Sequence, residues 1–336
     1  MCGRLDGGPR VRARRSVSAE VQTARAWPMP GDIGDFSFIV YGDNRYTDSS
    51  PTFNTVHRDV ACLGILADPR PTGVPGPRFI LHVGDLVYDG IDPPQWIPHF
   101  FRPAGAPIGR VPAFPCLGNH DYNNRQHQFE RAASEVYVKL FTLPENATVQ
   151  ADREHYYWFK YGDCYFVVLD TNLPFGVGSD QYKWLIGDKG QGCLTWTEFR
   201  NARRLFILLH CPPYTDSSDS PHTWDATDVT AVRTTLAPIF ESATSPRVHR
   251  KADVVLSGHN HFYERSLYNG VHYVVTGGGG APLHAPISPP TPGHNVGQQK
   301  AAKAWHYCRL DVPISGPLHL VVREKDGALV EELDLD

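Results

Sequence analysis

The sequence lacks the features that define several protein classes. No apolar run approaches the length of a membrane-spanning helix, and a formal net charge of -4 gives no indication of a polyanionic partner such as nucleic acid. The seven cysteines include no C-x-x-C pair, which argues against a zinc ribbon or a redox motif. The four glycines at 277–280 are not followed by the Lys-Ser or Lys-Thr of a P-loop. We expect this glycine run to be a loop of close backbone approach.

The first 30 residues are rich in arginine and poor in apolar side chains. Arg14-Arg15 has the form of a twin-arginine export signal, but no apolar segment follows between Ser16 and Trp27. We therefore expect residues 1–34 to be a disordered or misassigned leader and residues 35–336 to form the functional domain.

Strand and helix signals alternate along the rest of the chain. Residues 194–204 and 227–240 are each predicted to form a helix, and Asn269-Gly270 and Asp326-Gly327 are typical hairpin turns. Strands with interspersed helices, followed by late hairpins, predict two packed mixed β-sheets covered by helices.

Polar motifs follow five short apolar runs that are predicted strands. The motifs are Gly42-Asp43-Asn44-Arg45, Gly84-Asp85-Leu86-Val87-Tyr88, Gly118-Asn119-His120-Asp121, Leu208-Leu209-His210 and Gly258-His259-Asn260-His261. Open α/β sheets bind their ligands at the carboxyl ends of strands, so these side chains are expected to converge. Oxygen and nitrogen donors without thiolates suit Fe, Mn, Zn or Mg. The pattern predicts metal-assisted hydrolysis.

The order and spacing of these motifs resemble the calcineurin-like metallophosphoesterase superfamily, and within it the purple acid phosphatases. The resemblance extends from Phe36 to Thr276. Tyr88 follows Asp85 at the spacing of the GDxxY element of that branch, and the run 258–265, GHNHFYER, is also similar. The resemblance implies a mixed α/β fold, a four-layer αββα sandwich of two mixed β-sheets flanked by helices.

The resemblance also implies a site for two metal ions. Its first ion would be bound by Asp43, Asp85, Tyr88 and His261, and its second by Asp85, Asn119, His210 and His259. A bridging carboxylate can hold two cations roughly 3.5–4 Å apart. Two histidines one residue apart on an extended segment point to the same face, so His259 and His261 could both reach the cluster. Fe(III) is expected at the Tyr88 site, with Fe, Zn or Mn at the second.

Arg45 departs from the family pattern. The superfamily has a histidine at this position and the purple acid phosphatases usually have glycine, whereas a guanidinium cannot ligate a cation. A Tyr88 phenolate can take the vacant ligand position. Arg45 either holds a phosphate oxygen of the substrate or forms a salt bridge with a carboxylate such as Asp48, and the sequence leaves both open.

Two further histidines are candidates for catalysis. The resemblance places His120 near the leaving group, and it places substrate-contacting histidines in the stretch that contains His222. The spacing at His222 differs from the family, so an exposed loop residue is the alternative. The expected mechanism is attack on phosphorus by a metal-bound hydroxide, while His120, with or without His222, protonates the departing alkoxide.

Three functions are compatible with these residues. The first is hydrolysis of phosphate monoesters, and the second is phosphodiesterase or nucleotidase activity at the same site. The third, motivated by Arg45, is a non-catalytic binding protein with a degenerate metal site. We expect a small-molecule phosphate ester as substrate, with no nucleic-acid or membrane partner, and the sequence leaves the oligomeric state open. The missing signal-peptide pattern and the often extracytoplasmic location of this branch point in opposite directions, so the compartment is also left open.

Overall fold

The computed structural model describes residues 34–45, 54–122, 131–187, 192–242 and 250–336. Residues 1–33 of the predicted leader lie outside these ranges. The expectation of a leader followed by one domain therefore stays a prediction.

Thirteen strands occur within the described ranges. They are β1 Phe36–Tyr41, β2 Pro77–His82, β3 Ala113–Pro115, β4 Tyr157–Tyr161, β5 Cys164–Val168, β6 Arg204–Leu208, β7 Val254–Ser257, β8 Tyr263–Tyr268, β9 Val271–Thr276, β10 Gln298–Ala302, β11 His306–Val312, β12 Leu318–Glu324 and β13 Leu329–Leu335.

The helices of the described ranges are mostly short. They are α1 Thr55–Asp59, continued by π-helical turns over Val60–Ile65, α2 Pro93–Trp96, continued in the same way over Ile97–Phe101, α3 Arg102–Ile108, α4 Glu135–Leu140, α5 Asp180–Ile186, α6 Thr197–Arg200, α7 Thr227–Thr235 and α8 Ala237–Glu241. Short 3₁₀ turns cover Arg131–Ser134, Gln150–Asp152 and Cys193–Thr195.

The strands form two mixed sheets. The first has the order β13-β12-β11-β1-β2-β3, and the second has the order β10-β8-β9-β7-β6-β5-β4. Within the first sheet β1, β2 and β3 are parallel, and within the second β5, β6, β7 and β9 are parallel. The polar motifs follow β1, β2, β3, β6 and β7, so both sheets present carboxyl ends to one region.

Aromatic side chains join the two sheets face to face. Phe38 of β1 lies 5.4 Å from Phe166 of β5 and 5.1 Å from Phe206 of β6, both in edge-to-face geometry. Burial of each such ring contributes about 1.5–3 kcal/mol. This inner core fixes the relative position of the sheets, and therefore of the loops at their carboxyl ends.

Helices cover the outer faces of both sheets. Val60 and Ile65, in the turns that continue α1, pack on Ile39 and Tyr41 of β1. On the second sheet, α5 to α8 contribute buried side chains that include Trp184 and Val232. The predicted four-layer αββα sandwich is thereby confirmed.

Two predicted helices are shorter than expected. The segment 194–204 contains only a 3₁₀ turn and the single helical turn of α6, because Arg204 already begins β6. The segment 227–240 is divided into α7 and α8 at Leu236. Pro238 has no N–H to donate to the preceding turn, which accounts for the division.

The predicted hairpin turns are confirmed. Asn269 and Gly270 adopt φ angles of 49° and 77° between β8 and β9, as a type I′ turn requires. Gly327 adopts φ 93° between β12 and β13.

Candidate metal centre

Ligand-bearing loops from both sheets meet at one site. The first sheet supplies Asp43, Asp85 and Asn119, and the second supplies His210, His259 and His261. All are buried except Asn119, which is half-buried. Ligand atoms of Asp43, Asp85 and His210 lie within 4.8 Å of one another. The structure therefore brings the ligands predicted from these five loops together.

Asp85 occupies the middle of the cluster. Its Oδ1 is 3.4 Å from His210 Nε2 and accepts a hydrogen bond of 3.0 Å from the backbone N–H of His120. Its Oδ2 lies 3.3 Å from Arg45 Nε and 4.0 Å from His120 Nε2. Asp43 lies on the other side, with Oδ1 at 3.7 Å from His261 Nε2. This placement is compatible with a bridging role for Asp85.

Backbone carbonyls fix the tautomers of two predicted ligands. His210 Nδ1 is 2.7 Å from the carbonyl oxygen of Val83, and His261 Nδ1 is 2.7 Å from that of Pro282. A carbonyl only accepts, so each Nδ1 carries the hydrogen and donates it. In the neutral imidazoles Nε2 then carries the lone pair, and these are the nitrogens that face the carboxylates.

His259 has the opposite orientation. Its Nε2 lies 2.8 Å from Asp228 Oδ2, so this nitrogen carries the hydrogen. Its Nδ1 lies 3.0 Å from His210 Nε2. Both of these facing nitrogens hold lone pairs, and neither can donate to the other.

The donor set fits a bound cation. The lone pair of His210 Nε2 faces that of His259 Nδ1 at 3.0 Å, Asn119 Oδ1 at 3.0 Å and Asp85 Oδ1 at 3.4 Å. Electron-rich atoms this close repel unless something positive lies between them. Oxygen and imidazole nitrogen are ligands for Zn, Fe and Mn. The residues present can therefore hold the metal that the motifs predict.

Burial sets the charges of the site. It lowers the pKa of His210 and His261, and it lowers that of His259 to about 3, so these imidazoles are neutral ligands at neutral pH. Burial, followed by the charge of Asp85, raises the pKa of Asp43. For Asp85 itself burial acts in the same direction, but it is outweighed by the charges of His120 and His210, which are protonated at the acidic pH where a carboxyl titrates, and of Arg45, so the pKa of Asp85 lies below the ordinary value. Two carboxylates in this small volume favour the binding of cations.

Three predicted ligands have left-handed backbones. Asp43, Asp85 and His259 adopt φ angles of 55°, 56° and 69°, a region that non-glycine residues rarely occupy. The expectation that His259 and His261 lie on an extended segment is therefore wrong. Asn260 N donates to Gly258 O at 2.8 Å, so the segment is a tight turn that still directs both histidines toward the cluster.

Asp121 organises the loop that follows β2. Its two carboxylate oxygens accept hydrogen bonds from the backbone N–H groups of Asp85, Leu86, Val87 and Gly118. Gly118 is required here because a Cβ atom would collide with Asp85 Oδ1. Asp121 was not among the predicted site residues, although it ends the Gly118-Asn119-His120-Asp121 motif.

Arg45, Tyr88 and His120 form one side of the site. The Arg45 guanidinium carbon lies 5.8 Å from the centre of the Tyr88 ring, and the rings of Tyr88 and His120 are 5.5 Å apart. Among the described residues the carboxylate beside Arg45 is that of Asp85, while the suggested partner Asp48 lies outside them. Tyr88 is half-buried beside the cluster, and its ligation of a metal stays a prediction.

His222 lies directly against His259, one of the predicted metal ligands. Its ring centre is 3.5 Å from that of His259, and its Nδ1 is 2.8 Å from Asp228 Oδ2. The side chain is 21% exposed. His222 is therefore not the exposed loop residue that the alternative interpretation describes.

Two neighbours of the site were missed by the sequence analysis. Asp228 contacts His222 and His259 from the start of α7, and His284 stacks on His261 with ring centres 4.1 Å apart. His284 could have been suspected because it follows the glycine run at 277–280. Asp228 lies in no recognisable motif.

The glycine run is a loop of close approach, as predicted. Backbone or carboxylate atoms occupy the positions where Cβ atoms of Gly277 and Gly279 would lie. For Gly277 these neighbours include Asp43 Oδ2.

A separate cavity of about 470 Å³ lies at the amino ends of β6, β7 and β9. It is lined by the basic residues Arg200, Arg204, Arg250 and Lys251, and Arg204 and Arg250 both pair with Asp253. Its lining contains none of the predicted metal ligands, so this cavity is not the predicted site.

Within the described ranges, every helix is too short or too polar to cross a bilayer.

Comparison with known proteins finds the similarity to calcineurin-like phosphoesterases and purple acid phosphatases that the motifs indicate. The family model described as calcineurin-like phosphoesterase matches residues 31–263. Over 260 residues the chain is 28% identical to a protein of Arabidopsis thaliana named probable inactive purple acid phosphatase 9, covering 70% of this chain and 36% of that protein. It is 26% identical over 220 residues to a purple acid phosphatase of Glycine max, covering 63% of this chain and 43% of that protein.

The fold is shared with solved structures. The purple acid phosphatase PPD1 from seeds of yellow lupin, Lupinus luteus, superposes with a TM-score of 0.62 at 20% identity. The match covers 91% of this chain and 54% of the lupin chain. The chain therefore corresponds to about half or less of the length of these relatives.

Proposed function

Because the chain belongs to the calcineurin-like phosphoesterase family, and because its site resembles that of purple acid phosphatases, we propose that it hydrolyses phosphate monoesters with the help of two bound cations. The observation that carries this proposal is the convergence of the lone pairs of His210 Nε2 and His259 Nδ1, 3.0 Å apart, beside the Asp85 carboxylate. A cation between them removes the repulsion.

The proposed ligand sets follow the predicted ones. Asp43, Asp85, Tyr88 and His261 would hold the first cation, and Asp85, Asn119, His210 and His259 would hold the second. The central position of Asp85 supports its bridging role, and the lone pairs on His261 Nε2 and His210 Nε2 support the two imidazole contacts.

Two bound cations would supply Lewis acidity, so that water could act as a nucleophile at neutral pH and charge on the phosphate could be neutralised. The protein's own groups orient the substrate and move protons. His120 Nδ1 donates to the carbonyl of Tyr88 at 2.7 Å, which fixes its ring and leaves Nε2 beside Asp85. Nε2 can deliver a proton to the leaving group only when the ring is protonated, and burial lowers the pKa of His120 to about 4, so the proposed acid role belongs to acidic pH.

Arg45 and His222 complete the proposed substrate contacts. The Arg45 side chain is 17% exposed and lies at the edge of the cluster, where its guanidinium can donate hydrogen bonds to the oxygens of a phosphate. His222 lies against His259. A phosphoryl group bound in the site would meet the positive charge of Arg45 and the imidazole of His222.

One experiment tests this function. The purified protein is analysed for bound metals and assayed with p-nitrophenyl phosphate and bis(p-nitrophenyl) phosphate. We expect about two metals per chain and faster hydrolysis of the monoester. Preference for the diester would favour phosphodiesterase activity at the same site.

A non-catalytic binding protein is the remaining candidate. The ion pair of Arg45 with Asp85 favours it, because a guanidinium at 3.3 Å competes with a cation for the same carboxylate. One relative is itself named probable inactive. Fewer than two metals together with no hydrolysis of either ester would establish this alternative and overturn our proposal.

A further inference from the structure

A single carboxylate contacts two of the histidines in the site. Asp228 Oδ2 lies 2.8 Å from His259 Nε2 and 2.8 Å from His222 Nδ1. We propose that Asp228 is a positioning residue that orients both histidines, one as a metal ligand and the other as a substrate contact. This inference rests on the proposed two-cation site.

The carboxylate determines which nitrogen of each ring is free. An ionised carboxylate only accepts hydrogen bonds, so His259 Nε2 and His222 Nδ1 both carry hydrogens. The lone pair of His259 is thereby placed on Nδ1, which faces His210 Nε2 at 3.0 Å. Without Asp228, the hydrogen of His259 could move to Nδ1 and remove this ligand from the second cation.

The same hydrogen bond determines how His222 can act. With Nδ1 bound to Asp228, Nε2 is the ring nitrogen left for the substrate. The ring itself packs on His259, with centres 3.5 Å apart. Asp228 therefore connects the orientation of a proposed metal ligand, His259, to that of a proposed substrate contact, His222.

The surrounding backbone holds Asp228 and His222 in place. Asp228 is in the first turn of α7, and its second oxygen, Oδ1, accepts from Val229 N at 2.9 Å. Asn260 Nδ2, next to His259, donates to the His222 carbonyl at 2.8 Å. The loop that carries His222 is thus attached to the loop that carries His259 on two sides.

Hydrogen-bond partners of metal-binding histidines have measurable effects on metal binding. Their loss typically weakens metal affinity by about 10–100-fold, because the ligand is no longer held in its tautomer and orientation. The loss should be confined to the cation that His259 binds. Asp228 hydrogen-bonds to His222, Val229 and His259, and not to Asp43 or His261, which would hold the other cation.

The test measures metal affinity without turnover. Zn²⁺ is titrated calorimetrically into metal-free wild-type protein and into Asp228→Ala, Asp228→Asn and Asp225→Ala. We expect Asp228→Ala to weaken one of two binding events by about 10–100-fold and to leave the other unchanged. Asp228→Asn should weaken Zn²⁺ affinity less than Asp228→Ala does, because its amide oxygen can still accept one hydrogen bond. Asp225 is an exposed residue three positions earlier, and its variant should bind like the wild type.

A second variant separates the two histidines. His222→Ala should keep wild-type Zn²⁺ affinity, since His259 still donates to Asp228, but should hydrolyse p-nitrophenyl phosphate more slowly. In the Asp228→Ala background the same change should have a smaller effect on rate, because His222 is already misplaced. Equal effects of His222→Ala in both backgrounds would contradict the shared role.

The outcomes distinguish this inference from the proposed function. Wild-type affinity for both ions in Asp228→Ala overturns the positioning role even if the protein is an active phosphatase. Two Zn²⁺ ions with no hydrolysis of any phosphate ester overturns the proposed function, while the affinities still decide the role of Asp228. Circular dichroism shows whether Asp228→Ala folds. If it does not, Asp228→Asn takes its place. The inference is then overturned if Asp228→Asn binds Zn²⁺ with wild-type affinity and if His222→Ala lowers the rate equally in the wild-type and Asp228→Asn backgrounds.

Discussion

Asp85 has neighbours on both carboxylate oxygens, and this determines what its loss should do. His210 lies beside Oδ1, while Arg45 and His120 lie beside Oδ2. We predict that Asp85→Asn lowers metal occupancy and abolishes hydrolysis while the chain stays folded, because a neutral amide cannot bridge two cations. Metal analysis and a p-nitrophenyl phosphate assay measure both effects, with Asp225→Asn as the control. Two retained metals with full activity would exclude the bridging role.

His120 Nε2 lies 4.0 Å from Asp85 Oδ2, which is too far for a direct hydrogen bond. We predict that His120→Ala keeps both metals and lowers turnover by about 10²–10⁴-fold, the usual range for general acid–base catalysis. The loss should be smaller for aryl phosphates, whose leaving groups need little protonation, than for alkyl phosphates. Equal losses for both substrates would argue that His120 does not act as the acid.

Tyr88 provides the clearest spectroscopic test of the metal. A phenol ordinarily keeps its proton at neutral pH, so only a strongly Lewis-acidic ion such as Fe(III) would hold it as a phenolate. We predict that protein produced with iron is coloured by a phenolate-to-iron charge-transfer band. Tyr88→Phe should remove the colour and weaken the first site without removing the ligands of the second. Colourless iron-loaded wild-type protein would mean that Tyr88 is not a ligand, and Arg45 would then mark a site that is short of one protein ligand.

Among the structural elements, the loop after β2 depends on a single side chain. Asp121 accepts hydrogen bonds from four backbone N–H groups, three of them at 85–87. Asp121→Ala leaves these buried donors without a partner, and we predict a loss of about 2–4 kcal/mol in the free energy of unfolding. Urea denaturation of the metal-free protein measures it. Asp121→Asn keeps one acceptor oxygen, so its free energy of unfolding should fall clearly less than that of Asp121→Ala. Equal losses of unfolding free energy would mean that side-chain volume rather than hydrogen bonding matters.

The elements also show what the sequence could and could not predict. The convergence of the predicted ligands could be anticipated because each of their motifs follows a strand. The parallel order of β1 to β3 and of β6 and β7 brings those strand ends together. The division of α7 from α8 depends on Pro238, a local signal that the apolar pattern concealed. Asp228 could not be predicted, because its contact with His259 joins positions 31 residues apart with no pattern between them.

The local backbone geometry at His259 could not be predicted from the sequence either. The alternation rule places His259 and His261 on one face, and they do face one cluster, but through a turn with φ 69° at His259. The contact of Arg45 with Asp85 could not be predicted either, because the pairing of β1 with β2 is what brings these two residues together.

At the scale of the whole molecule, buried histidines predict how stability depends on pH. Burial lowers the pKa of His57 and of His306 to about 4, whereas an unfolded histidine has a pKa near about 6.5. The unfolded state therefore binds protons more readily, so the stability from these groups is complete above about pH 6.5 and is lost as the pH falls toward about 4.

His306 allows this dependence to be measured for one group. We predict that the drop in unfolding free energy between about pH 7 and pH 5 is smaller in His306→Asn than in the wild type by about 2 kcal/mol. Urea denaturation at the two pH values provides the comparison. Identical drops would mean that His306 can be protonated in the folded protein without cost.

The origin of the ligands in two different sheets has a mechanical consequence. In the proposed arrangement each cation takes ligands from β1–β3 on one side and from β6–β7 on the other, so the ions act as cross-links between the halves of the sandwich. Away from this edge the sheets are joined by packing, such as the contacts of Phe38 with Phe166 and Phe206. At the far ends of the strands Arg204 also donates a hydrogen bond to the carbonyl of Gly316 at 2.6 Å. Chelation should therefore let the sandwich open from its metal-bearing edge like a hinge, with amide hydrogen exchange rising first at the carboxyl ends of both sheets.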